Sequence, residues 1–446
     1  MTQIHSKTFK IFGPPGTGKT TRLIKIVEKQ LRLGVLPHEM VYVSFTNKAI
    51  DEAVDRVLKK FKQYNEDDFS NFRTIHSFCK KELSSLPVLD PRVDMLKFHT
   101  DWGTISANFS EEDANHKVFN NWSLRVYDKA RNMLVDPIAL YKAEPLKKVR
   151  LQQFTDIIRN YIKFKKDNKM DFTDMVEKYV EEVNPPSYKV FIVDEAQDLT
   201  PLQWDMVVKM AEAVERVYIA GDDDQAIYEW NGADVDLFQN FPGKTLVLKK
   251  SVRLNKNIHF FSKCLLNSMG NKRVQKEFHS NGKEGHVYRW GGLKKVPWDM
   301  DGSWMVLARI NDVKRELQQE ARNLGLYYQD QKNNKSFDPN QFSAINYWEK
   351  ICEGGSISRE EAVTMYEYLL NIDHGYRSAE SKKWSFAHPN QVFTFDELHL
   401  RCGMRDEKGL WNQVFKRKFK DKDKQYFKKL MNEGVDLSQP PKIIID

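Results

Sequence analysis

The first half of the chain alternates between short apolar runs and stretches of helical periodicity. The runs are rich in β-branched residues, are bounded by glycine, aspartate or serine, and have the length of buried parallel strands. They cover residues 9–12, 40–44, 188–193, 216–220 and 245–248. Between them, apolar residues recur at helical spacing, as at Leu23, Ile26, Val27 and Leu31, and would place one stripe against a sheet. The alternation predicts an α/β fold in which helices flank a parallel sheet.

Two long stretches of helix-forming sequence interrupt this alternation. They run from about residue 83 to 184 and from about 341 to 432, and each is followed by a Pro-Pro pair. Between them, a second α/β pattern predicts strands at 286–290 and 304–308 and a helix at 313–324. One more core strand is predicted at the tail, residues 442–445.

These patterns predict two core domains, each with a mostly helical insertion. The first core would comprise residues 1–84 and 185–250, interrupted by an insertion at 85–184. A partial second core would comprise residues 251–335, followed by an insertion at 336–438 and the start of the next core strand at 439–446. We expect the second core to be incomplete.

A glycine-rich segment between the first apolar run and the first helical stretch predicts a phosphate-binding loop. Residues 13–20 fit the pattern GxxxxGK[ST], and a strand before and a helix after are the context that this loop needs. Backbone N–H groups would surround the phosphates, Lys19 would neutralise β/γ oxygens, and the Thr20 hydroxyl would ligate Mg²⁺. The alternative is a glycine-rich turn with a chance lysine. The nucleotide-binding residues predicted here are Gly13, Pro14, Pro15, Gly16, Thr17, Gly18, Lys19, Thr20, Thr21 and Arg22.

Two carboxylates follow the apolar run at 188–193. Asp194 suits an indirect contact to Mg²⁺, through a water or another ligand of the ion, and Glu195 suits the base that orients an attacking water. Acidic residues after a strand often only cap a helix, and this alternative stays open for the stretch alone. Together with the phosphate loop, the pair predicts Mg²⁺-dependent hydrolysis of a nucleoside triphosphate.

Composition excludes several classes of protein. The 446 residues are 41% hydrophobic and 30% charged, which excludes a largely disordered or fibrous chain. Four scattered cysteines favour a reducing compartment, and no apolar run approaches the about 20 residues that span a bilayer. We therefore expect a soluble, cytoplasmic protein. The net charge of +8 is concentrated in two basic stretches with interleaved aromatic residues, 142–169 and 416–429, which suit nucleic acid or a solvated helix face equally well.

The motifs resemble, in order, those of the UvrD/Rep-type superfamily 1 helicases. Six segments carry the resemblance: 41–49 (motif Ia), 72–78 (TxH), 171–175 (DFxDL), 194–198 (DEAQD, motif II), 221–233 (motif III) and 248–253 (motif IV). The resemblance implies RecA-like P-loop NTPase core domains and an ATP-dependent DNA helicase or translocase. It also implies travel from 3′ to 5′ on single-stranded DNA and a role in replication, repair or recombination.

The resemblance assigns further residues to the site. It implies that Gln225 and Arg253 contact the γ-phosphate, although Arg253 alone could be an ordinary surface arginine. It also implies contacts to single-stranded DNA from Phe45, Thr46, His76, Phe172, Tyr228 and Trp230. Taken singly, Phe45 and Phe172 read better as core residues, whereas Tyr228 and Trp230 suit base stacking after a strand end.

The sequence departs from the family pattern in several places. No glutamine motif precedes the loop, Val252 stands where an aromatic residue is common, and Asn231 stands where an arginine is usual. We find no motif V and no motif VI. A second polypeptide that supplies the missing core motifs is therefore an expected partner, beside single-stranded DNA and its junctions with duplex.

Two rival functions remain. The first is a nucleotide-gated module that binds single strands without unwinding them alone. The second is a P-loop enzyme unrelated to nucleic acid, such as a small-molecule kinase, which the motifs around residues 46, 76 and 225–230 disfavour.

Overall fold

The fold is known from a computed structural model. It describes residues 2–83, 87–89, 98, 122–144, 149–165, 169–270, 273–298, 302–369, 371–373, 376, 391–415, 419–437 and 439–446. Most of the first half of the insertion predicted at 85–184 lies outside the described residues. So do residues 145–148, 166–168 and 416–418 of the two basic stretches.

The chain divides into two compact units, Met1–Val287 and Tyr288–Asp446. Residues 251–287, which the sequence argument assigns to the second core, fall in the first of these units. The predicted boundaries between cores and insertions stay predictions.

The first unit contains a parallel sheet of six strands. The strands are β1 (Thr8–Phe12), β2 (Met40–Ser44), β3 (Phe72–Thr74), β4 (Val190–Val193), β5 (Arg216–Gly221) and β6 (Lys244–Val247). Their order across the sheet is β3-β2-β4-β5-β1-β6, with parallel pairing throughout. The five runs predicted as strands are thereby confirmed to within two residues at each end, and the α/β fold class is confirmed.

Helices cover both faces of this sheet, which explains why its strands are apolar at successive positions. Val41 and Val43 of β2 pack in the cluster on one face, whereas Met40 and Tyr42 pack in the cluster on the other. In the described residues of the unit the helices are α1 (Thr2–Lys7), α2 (Lys19–Arg32), α3 (Asn47–Leu58), α4 (Ile75–Glu82), α5 (Trp122–Asn132), α6 (Pro137–Ala143), α7 (Leu151–Lys165), α8 (Phe172–Glu182), α9 (Pro201–Ala213), α10 (Val235–Asn240) and α11 (Lys256–Ser268).

All six strands end at the same edge of the sheet, because they are parallel. The phosphate loop therefore leaves β1 beside the acidic pair that follows β4 and beside the motif III loop that follows β5. Residues far apart in sequence meet at this edge, where ligands bind in open α/β sheets.

The second unit contains a smaller parallel sheet and a helical layer. The order β7 (Trp304–Val306), β11 (Ile443–Ile445), β8 (Tyr328–Gln329) places the predicted tail strand in the centre. Helix α12 (Asn311–Asn323) packs on this sheet through Leu317 and Ala321. The other elements are α13 (Pro339–Cys352), β9 (Ile357–Ser358), α14 (Arg359–Tyr366), β10 (Val392–Phe393), α15 (Phe395–Arg401), α16 (Trp411–Val414) and α17 (Asp421–Asn432). They surround the fully buried Trp348.

The strand predicted at 286–290 is wrong. These residues are described and form no strand, and the side chains of Val287, Tyr288 and Trp290 remain 46–66% exposed. Alternating apolar residues predict a strand only if one face is buried, and here that burial is lacking. Conversely, β3 was not predicted from periodicity, because three residues are too short for an alternation to register.

None of the helices in the described ranges has the length and apolarity that a bilayer crossing requires. The four cysteines are free thiols, and Cys79 and Cys402 are buried.

A largely buried ionic network, whose side chains are 9–32% exposed, joins α5, α7 and α8. The guanidinium of Arg131 lies 2.9 Å from Asp171 and 2.5 Å from both Asp174 and Glu177, and the Lys165 ammonium lies 2.7 Å from Asp171. Burial alone would raise the pKa of Asp171, but the charges of Arg131 and Lys165 outweigh it and lower that pKa. Since Asp171 is also the N-cap of α8, the network fixes the helix that begins at Phe172.

The substitution Arg131→Met is expected to lower the free energy of unfolding by about 3–5 kcal/mol, because three carboxylates lose a buried partner. The measurement is the midpoint of urea unfolding followed by circular dichroism. Arg159→Met is the matched control, since Arg159 pairs with Asp156 on the surface with 71% of its side chain exposed. It is expected to change stability by about 0.5 kcal/mol or less. Equal shifts of the midpoint in the two variants would contradict the structural role given to Arg131.

Candidate nucleotide and nucleic-acid site

The phosphate loop connects β1 to α2 in the conformation that its glycines permit. Gly16 and Gly18 have φ of 71° and 83°, a region in which an L side chain is strained. Gly13 donates its N–H to the carbonyl of Gly221 at 3.0 Å, which joins the loop to the end of β5. The ammonium of Lys19 donates to the carbonyl of Gly13 at 3.2 Å and therefore lies folded over the loop.

A cavity of about 350 Å³ opens above this loop. It is lined by Pro14, Pro15, Gly16, Thr17, Gly18, Lys19, Thr20, Thr21, Glu52, Arg56, Glu195, Gln225, Val252 and Arg253. Thus residues predicted from four separate motifs meet at one cavity. Of the predicted loop residues, Gly13 and Arg22 do not line it, and Arg22 is exposed on α2.

Asp194 lies at the bottom of the site and is buried to 1% exposure. Its Oδ2 atom accepts hydrogen bonds from the Tyr42 hydroxyl at 2.8 Å and from the Thr20 hydroxyl at 3.3 Å. Burial, reinforced by the charge of Glu195, raises the pKa of Asp194 to about 6. A carboxylate and a hydroxyl oxygen at this separation are the hard ligands that Mg²⁺ prefers, and a cation would offset the buried charge. Thr20 and Asp194 therefore fit the predicted metal.

Glu195 turns towards the cavity through a strained backbone. Its φ of 54° lies in the left-handed region, which is uncommon for a residue other than glycine and is found mainly at functional sites. The carboxylate lies 3.7 Å from the Lys19 ammonium and accepts a hydrogen bond from the Gln197 side chain at 3.1 Å. With 38% of its side chain exposed, Glu195 can reach a water in the cavity.

Gln225 and Arg253 reach the cavity from two further strand ends. The Gln225 amide donates to Asp222 Oδ2 at 2.5 Å. Arg253 follows Val252, whose N–H donates to the Gly16 carbonyl at 2.9 Å, and Ser251, whose hydroxyl donates to the Pro15 carbonyl at 2.8 Å. Because motif IV is hydrogen-bonded to the loop backbone, Arg253 lies at the cavity, with its side chain exposed.

Sequence reasoning missed Glu52 and Arg56, which line the same cavity from α3. They form an ion pair at 2.5 Å, and Arg56 donates to the Thr21 hydroxyl at 3.0 Å. Their spacing of four residues is ordinary for a solvated helix face, so no local signal distinguished them.

The predicted nucleic-acid contacts form two separate aromatic groups. In the first, the ring of Tyr228 lies between those of Phe45 and Trp230, with centroids 5.0 Å and 6.4 Å away. Trp230 is 68% exposed, and Phe45 and Tyr228 are partly buried. In the second, the rings of His76 and Phe172 are 5.5 Å apart. Both groups present flat apolar surface of the kind on which bases stack.

Three further observations concern these predicted contacts. The core interpretation of Phe172 is wrong, since the side chain is 51% exposed at the start of α8, and Phe45 is only partly buried. The hydroxyl of Thr46 accepts a hydrogen bond from the Ala49 N–H at 3.3 Å and so caps α3. Burial lowers the pKa of His76, against the opposing charge of Asp171, and favours its neutral form.

A second cluster that sequence reasoning missed lies behind motif III. Asp222, Asp223 and Asp224 have carboxylate oxygens within 4.8 Å of one another, a spacing that could hold a metal ion. The ammonium of Lys276 occupies that position instead, and Arg273 pairs with Asp224 at 2.5 Å. The polar stretch around Lys276 carries no apolar periodicity that would predict its burial.

The substitution Gly16→Ala is expected to weaken ATP binding about tenfold or more, as measured by titration of a fluorescent ATP analogue. An added Cβ would lie 2.4 Å from the Arg253 Cβ and 2.8 Å from the Ser251 hydroxyl, so loop and motif IV would separate. Gly34→Ala is the matched control, because Gly34 has a similar φ of 84° but nothing within 4 Å of the added Cβ. Unchanged affinity in Gly16→Ala, or equal weakening in both variants, would contradict the close contact of the loop with motif IV.

Comparison with known proteins identifies the family. Residues 1–245 match the family model of the UvrD/REP helicase N-terminal domain. The chain is 29% identical over 314 residues to a probable DNA helicase II homolog of Mycoplasma capricolum, a match that covers 63% of this chain and 41% of that protein. It is 25% identical over 268 residues to the ATP-dependent DNA helicase PcrA of Bacillus subtilis, covering 54% and 35% of the two chains. It is 24% identical over 305 residues to the ATP-dependent DNA helicase Rep of Buchnera aphidicola, covering 59% and 44%.

The chain spans less than half the length of each of these three relatives. The family model nevertheless covers 245 of its 446 residues, which is more than half, and the ordered motifs lie around one cavity. The chain therefore belongs to the UvrD/REP helicase family.

Proposed function

We propose that the chain hydrolyses ATP with Mg²⁺ and uses the energy to move along single-stranded DNA, as part of a DNA helicase. The relatives named as ATP-dependent DNA helicases support this activity. We further propose that travel runs from 3′ to 5′, that junctions of single-stranded with duplex DNA are bound, and that the strand separation serves replication, repair or recombination.

One observation carries the proposal: a single short loop reaches both the nucleotide cavity and the aromatic surface. Gln225 lines the cavity, and three residues later Tyr228 contacts Phe45 while Trp230 stands exposed. A shift of Gln225 on loss of the γ-phosphate would be transmitted along this loop to the stacking surface. Such a connection is what a motor needs and what a small-molecule kinase does not need.

The proposed chemistry assigns one task to each residue at the cavity. Lys19 binds the β/γ oxygens, and the loop amides surround the phosphates at the start of α2. Mg²⁺, held by Thr20 with Asp194, would neutralise charge that develops on the phosphate oxygens. Glu195 accepts a proton from the attacking water and orients it, while Gln225 and Arg253 contact the γ-phosphate.

The proposed nucleic-acid contacts carry no sequence preference. Stacking of bases on Tyr228, Trp230 and Phe172 uses the face that every base has, and basic side chains contact phosphates without reading the sequence. The two aromatic groups, one beside motif III and one at the start of α8, would hold different nucleotides of the same strand.

The decisive experiment measures ATP hydrolysis by the chain with and without oligo-dT, with Glu195→Gln as the background control. We expect hydrolysis to rise about tenfold or more with the oligonucleotide, because stacking on the loop that carries Gln225 completes the nucleotide site. Unwinding is then measured on duplexes with a 3′ or a 5′ single-stranded tail, for the chain alone and with a polypeptide that supplies the remaining core motifs.

Each outcome separates the candidate functions. Stimulated hydrolysis with unwinding of the 3′-tailed duplex supports the motor. Nucleotide-dependent DNA binding without turnover supports a gated binding module, and hydrolysis that is indifferent to DNA supports an enzyme unrelated to nucleic acid. The last two results would contradict the proposal.

Trp230→Ala, in the same assay, is expected to raise the oligo-dT concentration needed for half-maximal stimulation about tenfold, because base stacking contributes about 1–3 kcal/mol per base. Ile227→Ala is the matched control. Ile227 lies in the same loop and is 70% exposed. Its replacement by alanine removes apolar surface but no aromatic ring. Equal effects of the two substitutions would argue against stacking at Trp230.

A further inference from the structure

We infer that Lys276 is a positioning residue of the nucleotide site, which fixes Gln225 through Asp222 and fixes Arg253 through the segment on which Lys276 lies. The inference rests on the proposed function and adds to it a residue outside the motifs. Lys276 lies in the buried cluster behind motif III, with Asp222, Asp223, Asp224 and Arg273.

Lys276 is the central cation of that cluster. Its ammonium lies 3.3 Å from Asp222 and 3.0 Å from Asp224, and it also contacts Asp223. The side chains of Lys276, Asp222 and Asp223 have no exposed surface. The ammonium also lies 5.7 Å from the ring centroid of Phe12, the last residue before the phosphate loop. Lys276 therefore sits between the end of β1 and the start of the motif III loop.

Asp222 connects this lysine to two groups at the cavity. One carboxylate oxygen faces Lys276, and the other accepts the hydrogen bond from the Gln225 amide. Its backbone N–H donates to the Gln197 side chain at 3.0 Å, and Gln197 in turn donates to Glu195. A displaced Asp222 would thus move the groups proposed to sense the γ-phosphate and to orient water.

The segment of residues 273–281, here named the strap, connects Lys276 to motif IV. The N–H of Val274 donates to Asp223 at 2.7 Å, which fastens the strap to motif III. Further along, His279 donates its N–H to the Lys249 carbonyl at 2.7 Å, and its carbonyl accepts from the Ser251 N–H at 2.9 Å. Asn281 donates its N–H to Leu254 at 2.8 Å, so the strap borders Arg253 on both sides. The position of Arg253 therefore depends on where Lys276 holds the strap.

The two buried cations of the strap have different partners. Arg273 makes both of its short contacts with Asp224, at 2.5 and 2.7 Å. Lys276 reaches Asp222 itself. Both cations neutralise buried carboxylates and stabilise the fold, but Lys276 alone of the two touches the partner of Gln225. This difference separates a positioning role from a purely structural one.

The test uses the full chain with Lys276→Met, which keeps an unbranched side chain and removes the ammonium. Three quantities are compared with wild type. The first two are kcat and KM for ATP, measured with saturating oligo-dT. The third is the ratio of the oligo-dT dissociation constant without nucleotide to that with a nonhydrolysable ATP analogue and Mg²⁺. We expect kcat to fall about tenfold or more while KM stays within about threefold, since the residue acts on the reacting geometry more than on binding. The ratio is expected to move towards one. Wild-type kcat and ratio in a folded Lys276→Met variant would overturn the inference.

Arg273→Met is the matched control for loss of a buried cation. It is expected to lower the thermal unfolding midpoint about as much as Lys276→Met, while kcat stays within about threefold of wild type. Equal losses of kcat in the two variants would show that burial of charge alone matters and would overturn the inference.

Asp222→Asn decides the question if Lys276→Met does not fold. It leaves two carboxylates facing two cations, so folding is expected to be retained, but the connection from Lys276 to Gln225 is broken. We expect the same fall in kcat and the same movement of the ratio towards one, and wild-type values would overturn the inference. A wild-type chain without turnover or nucleotide-dependent DNA affinity would instead overturn the proposed function together with it.

Discussion

The buried charge of Asp222 is the constraint on which the nucleotide site depends. Burial raises the pKa of this carboxyl, while the nearby Lys276 ammonium and the Gln225 amide act in the opposite direction. A carboxylate in such a place is tolerated only if its neighbours are held in position, because leaving a buried charge without its partner is strongly destabilising. The Gln225 amide that donates to this carboxylate lines the cavity, and the backbone N–H of Asp222 donates to Gln197, which donates in turn to Glu195. The contacts that allow Asp222 to be buried therefore also fix the positions of the side chains at the cavity.

The order of the strands brings the other parts of the site to this point. Four neighbouring strands lie in the order β4-β5-β1-β6 across the sheet. The segments that follow them are, in the same order, the acidic pair, motif III, the phosphate loop and motif IV. The loop carbonyls of Pro15 and Gly16 accept hydrogen bonds from Ser251 and Val252, so the loop is held from two sides. The Arg131 network does the same for the start of α8, where Phe172 is presented beside His76. Rigid packing thus supports each exposed group that the proposed function uses.

Much of the fold and the centre of the site could be predicted from the sequence, because their signals are local. An apolar run, a glycine pattern and a helical stripe are short features that report their own structure, and the five main strands and the phosphate loop followed from them. The placement of Lys276 could not be predicted, since its burial depends on three aspartates some fifty residues earlier in the chain. The exposure of Phe172 depends likewise on partners in α5 and α7, and the apolar run at 286–290 fails to form a strand for want of burial. Glu52 and Arg56 look like any exposed ion pair until the cavity beside them is known.

A motor of the proposed kind requires the motif III loop to respond to the nucleotide before any DNA is bound. Hydrogen exchange of the backbone amides, followed by mass spectrometry with and without a nonhydrolysable ATP analogue and Mg²⁺, measures this response. We expect slower exchange in peptides from residues 13–20 and also in peptides from residues 222–232, because Gln225 and the loop beyond it become fixed. Protection of residues 13–20 with unchanged exchange at 222–232 would contradict it.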